Sequence, residues 1–316
     1  MAENIIFPQS LHPGDKISIV APATIVKGEY IDGAAERLRA EGFEPVVMPA
    51  AKGPASGTYA ASQADRLKDL ADALGNPDIS AVLCARGGYG CVHLIPEFDP
   101  AFLRENAKWL IGFSDVSALH AMMLRAGVAS IHGPMAKHLA TEEPDHYCSQ
   151  ALFRLMREGL PSEYYAPAHP LNIAGEGSGM LVGGNLAVLN GLAATPFDEF
   201  NRIFNLDTIL FLEDISEAIY AVERMVRRLI LSGAIARVKG IVFGHFTDYR
   251  PSANFPDMES MLSSLLAEAG VTGIPVAFDF PAGHTADNVP LVIGAPTMLS
   301  VASEGVLLTQ SAEEKN

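Results

Sequence analysis

Cysteine is nearly absent from this sequence: Cys84, Cys91 and Cys148 are the only three in 316 residues. Three thiols build no disulfide framework, and their spacing matches no zinc finger. Cys84 lies in an apolar run and reads as a core residue. Basic residues are also scarce, with 22 Lys and Arg against 37 Asp and Glu, a formal charge of −15. There is no run of Lys or Arg. Nucleic-acid binding needs basic patches that replace counterions, so that class is excluded. The acidity is spread along the chain and serves solubility. No apolar run reaches the roughly 18 residues of a membrane span. The opening MAENIIFPQSLHPGDK has no basic segment ahead of an apolar core, so no secretory signal is expected. The expectation is a soluble, cytoplasmic protein with no membrane partner. The metal-binding pattern H-E-x-x-H is missing as well.

What is present is apolar material in quantity. Hydrophobic residues make up 49% and charged residues 19%, enough for sizeable cores and for one or two domains. The first half alternates strand and helix. Lys16–Val20 is a strand ending in Ala-Pro-Ala, Tyr30–Ala40 is helical, and Pro45–Met48 is a second strand. Gln63–Leu74 is an amphipathic helix with Leu67, Leu70, Ala71 and Leu74 on one face. Strands follow at Ile79–Cys84 and Trp109–Phe113, then a helix at Val116–Ala126 closed by Gly127, and a short strand at Ala129–His132. This order predicts an α/β fold: an N-terminal, mainly parallel, Rossmann-like sheet covered on both faces, over residues 1–160. Prolines and glycines between 161 and 177 read as a linker. Residues 178–316 read as a smaller α/β domain. It has helices at Asn185–Ala194, Glu217–Ser232 and Met258–Ala269, and strands at Thr208–Leu212 and Gly240–Gly244. Short antiparallel strands finish it between Val289 and Thr309.

Three places can carry chemistry. In WLIGFSDVSALH a strand runs into a helix through Gly112-Phe113-Ser114-Asp115. A serine there projects from the C-terminal edge of the sheet, beside the free N–H groups of the next helix. The stretch departs from G-x-S-x-G, because Val116 stands at the last Gly. Ser114 or Asp115 serves equally well as an N-cap. In CARGGYG, Gly87 and Gly88 allow close approach of a substrate, and successive N–H groups hold an anion. Arg86 there reads equally as a surface salt-bridge partner. In the second half, LFLEDISEAIYAVERM places Glu213 at the end of an apolar strand, with Asp214 or Ser216 available to cap the following helix. FDFPAGHTADNVPL places His284 in a Gly-flanked loop. Ser, Glu and His in that order suit a triad whose parts lie in two domains, which requires a site at a domain interface.

These segments together resemble the LD-carboxypeptidases of peptidase family S66, which include the microcin C immunity-type peptidases. LHPGDKISIVAPA is similar to the family's opening strand, ALGNPDISAVLCARGGYG to its Gly-rich loop, and LIGFSDVSALH to its nucleophile segment. SIHGPM, LVGGNLAVLNGLAATPF, LFLEDISEAIYAVERMVRRL and FDFPAGH follow in the family's order. Ala23 departs from the Ser often found after the opening A-P. The resemblance implies Ser114 as nucleophile, Glu213 as acid and His284 as base. It implies an oxyanion hole from the N–H groups of Gly88, with Gly87 the other candidate, and of Asp115. Arg86, Gly87, Tyr89 and Asn185 are substrate-contact candidates, while Arg224 and His132 lie in family-like motifs. Arg224 could equally pair with Glu217 or Asp214 on its helix face. The implied activity is removal of the terminal D-Ala of murein tetrapeptides from an L-Lys or meso-diaminopimelate centre, by a cytoplasmic homodimer, with no metal or organic cofactor. The rival within the family is a microcin-type peptidase acting on aminoacyl-nucleotide or acyl-sulfamate conjugates; an aromatic platform for adenine would favour it, and the single Trp109 reads as part of a core strand. Outside it stand a metal-dependent hydrolase using His245, Asp248, Asp279 and His284, and a non-catalytic anion-binding protein.

Overall fold

The computed structural model describes residues 5–312. The chain forms two compact units, one of residues 5–159 with Val289–Gly294, the other of Leu160–Asn288 with residues 295–312. No helix among the described residues is long and apolar enough to cross a membrane.

The first unit is built on a six-stranded sheet. Its parallel strands are β1 (Lys16–Val20), β2 (Glu44–Val47), β3 (Ile79–Cys84), β4 (Trp109–Gly112) and β5 (Ser130–His132). The spatial order, with one further strand outside β5, is β5-β4-β3-β1-β2. β4 is wholly buried, and all of β3 but Ser80, which is why they read as apolar runs instead of alternating patterns. The helices are α1 (Gly28–Ala40), α2 (Gln63–Gly75), α3 (Pro100–Glu105), α4 (Ser117–Arg125), α5 (Ala136–Thr141) and α6 (Tyr147–Glu158). Ser62 caps α2, its Oγ accepting from Asp65 N–H at 3.1 Å. The inward face of α2 carries Arg66, Asp69, Leu70, Ala73 and Leu74, rotated from the expected Leu67-Leu70-Ala71-Leu74 stripe. Every residue of α4 from Ser117 to Leu124 is buried.

The second unit has a seven-stranded sheet. It contains β6 (Ser162–Pro167), β7 (Gly175–Asn185), β8 (Thr208–Ile215), β9 (Gly240–Thr247) and β10 (Val276–Ala277). β7 to β10 are parallel neighbours. The stretch expected as a linker, 161–177, therefore holds β6 and the start of β7. Its prolines sit at strand ends and in the turn between strands, where a missing N–H is tolerated. The helices are α7 (Leu186–Gly191), α8 (Ile219–Leu231) and α9 (Met258–Glu268). α7 is shorter than expected, because Asn185 is its N-cap and Ala194 adopts a left-handed φ of 60°.

The tail divides. β11 (Leu291–Ile293) runs antiparallel to β5 and completes the first sheet. β12 (Pro296–Ala302) and β13 (Gly305–Gln310) form an antiparallel hairpin that joins β7 to β6 in the second. The fold is thus an N-terminal parallel-sheet unit and a C-terminal α/β unit with antiparallel strands.

Candidate active site

Three loops leave the C-terminal ends of β1, β3 and β4, adjacent strands in the order β4-β3-β1. This is the edge at which open parallel sheets bind ligands. Ala21–Thr24 follows β1, Arg86–Gly90 follows β3, and Phe113–Val116 follows β4.

Ser114 has φ 65°, a left-handed backbone that costs a non-glycine residue about 1 kcal/mol. Its neighbours impose it. Phe113 before it is extended and buried, and Asp115 after it is locked by accepting Cys91 N–H at 2.8 Å. The strained strand–turn–helix resembles a nucleophile elbow without its last glycine. Neither Ser114 nor Asp115 caps a helix: no side-chain cap bond closes the 3₁₀ turn Ser114–Val116 or α4. The capping expectation fails because Asp115 turns toward the Gly-rich loop. Burial pushes the Asp115 carboxyl above its ordinary pKa, against the pull of the Cys91 bonds.

The Gly-rich loop lies directly against the serine. A Cβ on Gly87 would stand 2.7 Å from Ser114 Cβ, 2.8 Å from Oγ and 3.2 Å from Asp115 N. Only a residue without a side chain lets the loop approach the Ser114 hydroxyl and the Asp115 N–H this closely. Gly88 has φ 112°, and a side chain there would overlap Thr24. Thr24 Oγ1 accepts Tyr89 N–H at 3.0 Å. Arg66, 2% exposed, donates to Gly90 O at 3.1 Å, to Ala61 O at 3.3 Å and to Pro22 O, with its guanidinium 4.8 Å from the Tyr59 ring centroid. Tyr89 is exposed and packs edge-on against His93, with Tyr59 adjoining. Arg86 is exposed and donates to Ile25 O at 3.4 Å; no acidic side chain among the described residues pairs with it. The salt bridge expected of it is not formed.

Beneath the turn sits His120, fully buried. Its Nε2 is 2.8 Å from Gly112 O and its Nδ1 2.8 Å from Ser130 Oγ. A carbonyl only accepts, so Nε2 carries the hydrogen and Nδ1 accepts the Ser130 hydroxyl. Burial, helped by His132, pushes the His120 pKa down to about 3, so the ring is neutral. His132 itself is buried in β5 beside Phe113.

In the second unit, Glu213 lies near the end of β8, where the register with β9 shifts between Leu212 and Asp214. Glu213 Oε2 is 2.7 Å from His284 Nδ1. The carboxylate accepts, so Nδ1 donates and Nε2 is on the opposite edge of the ring. Two glycines make room. A Cβ at Gly244 would lie 3.2 Å from Glu213 Cβ, and one at Gly283, φ 122°, would lie 3.0 Å from Oε2. Gly283 N–H is held by Asn288 Oδ1 at 2.9 Å. Asp214 does not cap α8. It accepts from Asn185 Nδ2 at 3.0 Å, Ala187 N–H at 2.8 Å and Ile215 N–H at 2.8 Å. Burial, then the charge of Glu213, raises its pKa to about 7. Asn185 is buried, its Oδ1 accepting Val188 N–H at 3.1 Å, which makes it a support of this corner. Ser216 donates to Asp248 at 2.8 Å, and Arg224 lies over the Tyr220 ring, 5.5 Å from its centroid, instead of pairing with Glu217 or Asp214. His245 pairs with Asp279 at 2.7 Å, so the four residues considered for a metal are divided among separate pairs. Among the described residues, no three His, Cys, Asp or Glu side chains are grouped to hold a metal ion.

Sequence reasoning missed Thr24, Arg66 and His120. An arginine and a histidine among the apolar residues of helices α2 and α4 were the available signals.

Comparison with known proteins places this arrangement in a class. The LD-carboxypeptidase N-terminal domain matches residues 17–133 and the LD-carboxypeptidase C-terminal domain residues 178–299. The chain belongs to the LD-carboxypeptidase family, peptidase family S66. It is 30% identical to the murein tetrapeptide carboxypeptidase of Pseudomonas aeruginosa, over 89% of this chain and 92% of that one. The crystal structure of muramoyltetrapeptide carboxypeptidase from Oxalobacter formigenes superposes with a TM-score of 0.84 at 29% identity, covering 95% of this chain and 100% of that one. An MccF-like protein from Bacillus anthracis shares the fold, with a TM-score of 0.83 at 24% identity, over 98% of this chain and 100% of that one.

Proposed function

We propose that this enzyme is a serine LD-carboxypeptidase that removes the terminal D-Ala from murein tetrapeptides, with Ser114 as nucleophile, His284 as base and Glu213 as the acid that orients it. The observation that carries the reading is the left-handed Ser114 at the end of β4, pressed against Gly87 and the Asp115 N–H. Ser114 Oγ attacks the carbonyl of the L-centre, and its proton passes to His284 Nε2. The tetrahedral oxyanion is held by the N–H groups of Asp115 and Gly88, each worth roughly 3–4 kcal/mol in comparable serine hydrolases. The C–N bond breaks as His284 gives its proton to the leaving amine of D-Ala. Water then attacks the acyl ester, losing a proton to His284, and Ser114 recovers that proton as the acid product leaves. Glu213 keeps the hydrogen on Nδ1 and balances the imidazolium in each half.

The microcin-type alternative is disfavoured in one respect. Trp109, the only tryptophan, is 2% exposed, and its Nε1 donates to Gln9 O at 3.0 Å, so it offers no stacking face to a nucleobase. A cytoplasmic site of action and a homodimer remain part of the proposal on the strength of the family resemblance, to be tested by cell fractionation and sedimentation velocity. The test of the activity is mass spectrometry of a murein tetrapeptide ending in D-Ala, incubated with wild type and Ser114→Ala. Loss of one alanine with wild type only is the expected result. Equal cleavage by the variant would sink Ser114 as nucleophile. Absence of cleavage by wild type, with hydrolysis of an aminoacyl-sulfamoyl nucleoside, would move the enzyme to the microcin-type branch.

A further inference from the structure

Beside the Gly-rich loop is a cavity of ≈ 320 Å³ lined by Ile25, Val26, Lys27, Tyr30, Arg86 and Lys137. Three of its six lining residues are cationic and none is acidic, in a chain of net charge −15. A concentration of positive charge against that background favours an anionic ligand or is left to solvent to screen. Two of the cations have no acidic partner among the described residues. Arg86 donates only to Ile25 O, and Lys137 enters no ion pair. Lys27 is paired with Glu29 at 3.3 Å and contributes less. Backbone geometry fixes the cluster: Lys137 N–H donates to Ala85 O at 3.2 Å, which sets the start of α5 next to Arg86. The remaining lining is apolar, from Ile25, Val26 and the Tyr30 ring.

Arg86 immediately precedes Gly87, whose missing side chain lets the loop lie directly against Ser114 Oγ. In a carboxypeptidase substrate, only the amide nitrogen and one Cα separate the scissile carbonyl carbon from the terminal carboxylate carbon, a span under about 4 Å. A carboxylate that close to the nucleophile lies within reach of side chains flanking the oxyanion loop. A guanidinium matches a carboxylate in a two-point fork, and an ammonium adds a point charge. The apolar lining suits a methyl group.

We propose that this pocket is the subsite for the free carboxylate of the leaving D-residue, held by Arg86 and Lys137. The inference rests on the carboxypeptidase reading above and gives it its exopeptidase character: an internal peptide bond has no carboxylate to place here.

The test compares a tetrapeptide ending in D-Ala with the same peptide ending in D-alaninamide, for wild type, Arg86→Gln, Lys137→Gln and Lys137→Arg. The expected result is a wild-type kcat/KM ratio of acid to amide that falls about tenfold or more in each Gln variant and recovers to within about threefold in Lys137→Arg. An unchanged ratio in both Gln variants overturns the proposal. A second carboxylate, on the side chain of diaminopimelate, is a competing source. A ratio that responds to Arg86 and Lys137 only with diaminopimelate peptides, and not with L-Lys peptides, also overturns it. Binding separates this inference from the activity. Titration of L-Lys-D-Ala and its amide into Ser114→Ala, with and without Lys137→Gln, is read whether or not the wild type cleaves. Acid and amide binding alike would overturn the pocket. A preference for the acid that disappears with Lys137→Gln would support it even if Ser114 proved not to be the nucleophile.

Discussion

Glu213 Oε2 accepts the Nδ1 hydrogen of His284 at 2.7 Å, with no part of the Glu213 side chain reaching solvent. A carboxylate only accepts, so this bond fixes the ring in the tautomer with its hydrogen on Nδ1, and Gly244 and Gly283 leave the room the carboxylate needs. Glu213→Gln removes the charge and lets the ring adopt the wrong tautomer. The expected result is a fall in kcat of roughly 10⁴, the size seen for the equivalent change in other serine triads. Melting near the wild-type temperature would show that the loss is chemical. Wild-type kcat would remove Glu213 from the mechanism.

Gly87 is needed for space, not for an unusual φ. Gly87→Ala puts a methyl 2.8 Å from Ser114 Oγ and 3.2 Å from Asp115 N, so Ser114 or the loop must shift. Displacing the proposed nucleophile by about 1 Å costs about 100-fold. We expect that loss in kcat/KM, with little change in the urea midpoint because the residue belongs to a loop.

His120 makes the enzyme acid-sensitive. Its folded pKa, pushed down to about 3, lies below the ordinary 6.5 of the unfolded chain. The stabilisation is therefore complete above pH 6.5 and is lost as pH falls. Between pH 6.5 and 5 the expected loss is about 2 kcal/mol. His120→Gln cannot charge, so its urea-derived stability should vary less over that interval. An unaltered slope would contradict the assignment.

Glu199 acts in the opposite direction. It is buried, and burial raises its pKa to about 8, from an ordinary 4.5. A raised folded pKa gives stability that is complete below pH 4.5 and is lost as pH rises through 8. Glu199→Gln should match wild type near pH 4.5 and exceed it at pH 9 by about 2–4 kcal/mol. Calorimetric melting at the two pH values reads this directly.

The fold class was legible because apolar runs and amphipathic helices report burial directly. β1, β3, β4 and α2 stand within a residue or two of where the pattern put them. The stretch from 161 to 177 was misread because proline and glycine mark strand ends as well as linkers, and pairing partners such as β13 lie far along the chain. α2 turned its face because Arg66 and Asp69 point inward. Arg66 ties the Pro22 and Gly90 carbonyls, and Asp69 accepts Ala50 N–H at 2.6 Å. A hydrophobicity pattern counts such residues as outward.

Local sequence left Ser114 undecided between nucleophile and cap, since both uses favour a serine between strand and helix. The ordered set of family-like segments favours the nucleophile reading, and that much belongs to the sequence alone, together with the α/β class and the residue types of the proposed triad. Tertiary structure decided the rest. It turned Asp115 toward Cys91 and so left Ser114 in a left-handed turn. It brought Gly87 against the hydroxyl and closed Glu213 on His284. These are contacts between residues far apart in the chain. Propensity and periodicity describe only what a residue does with its near neighbours, whereas the packing of adjacent strands sets which distant groups share a strand end.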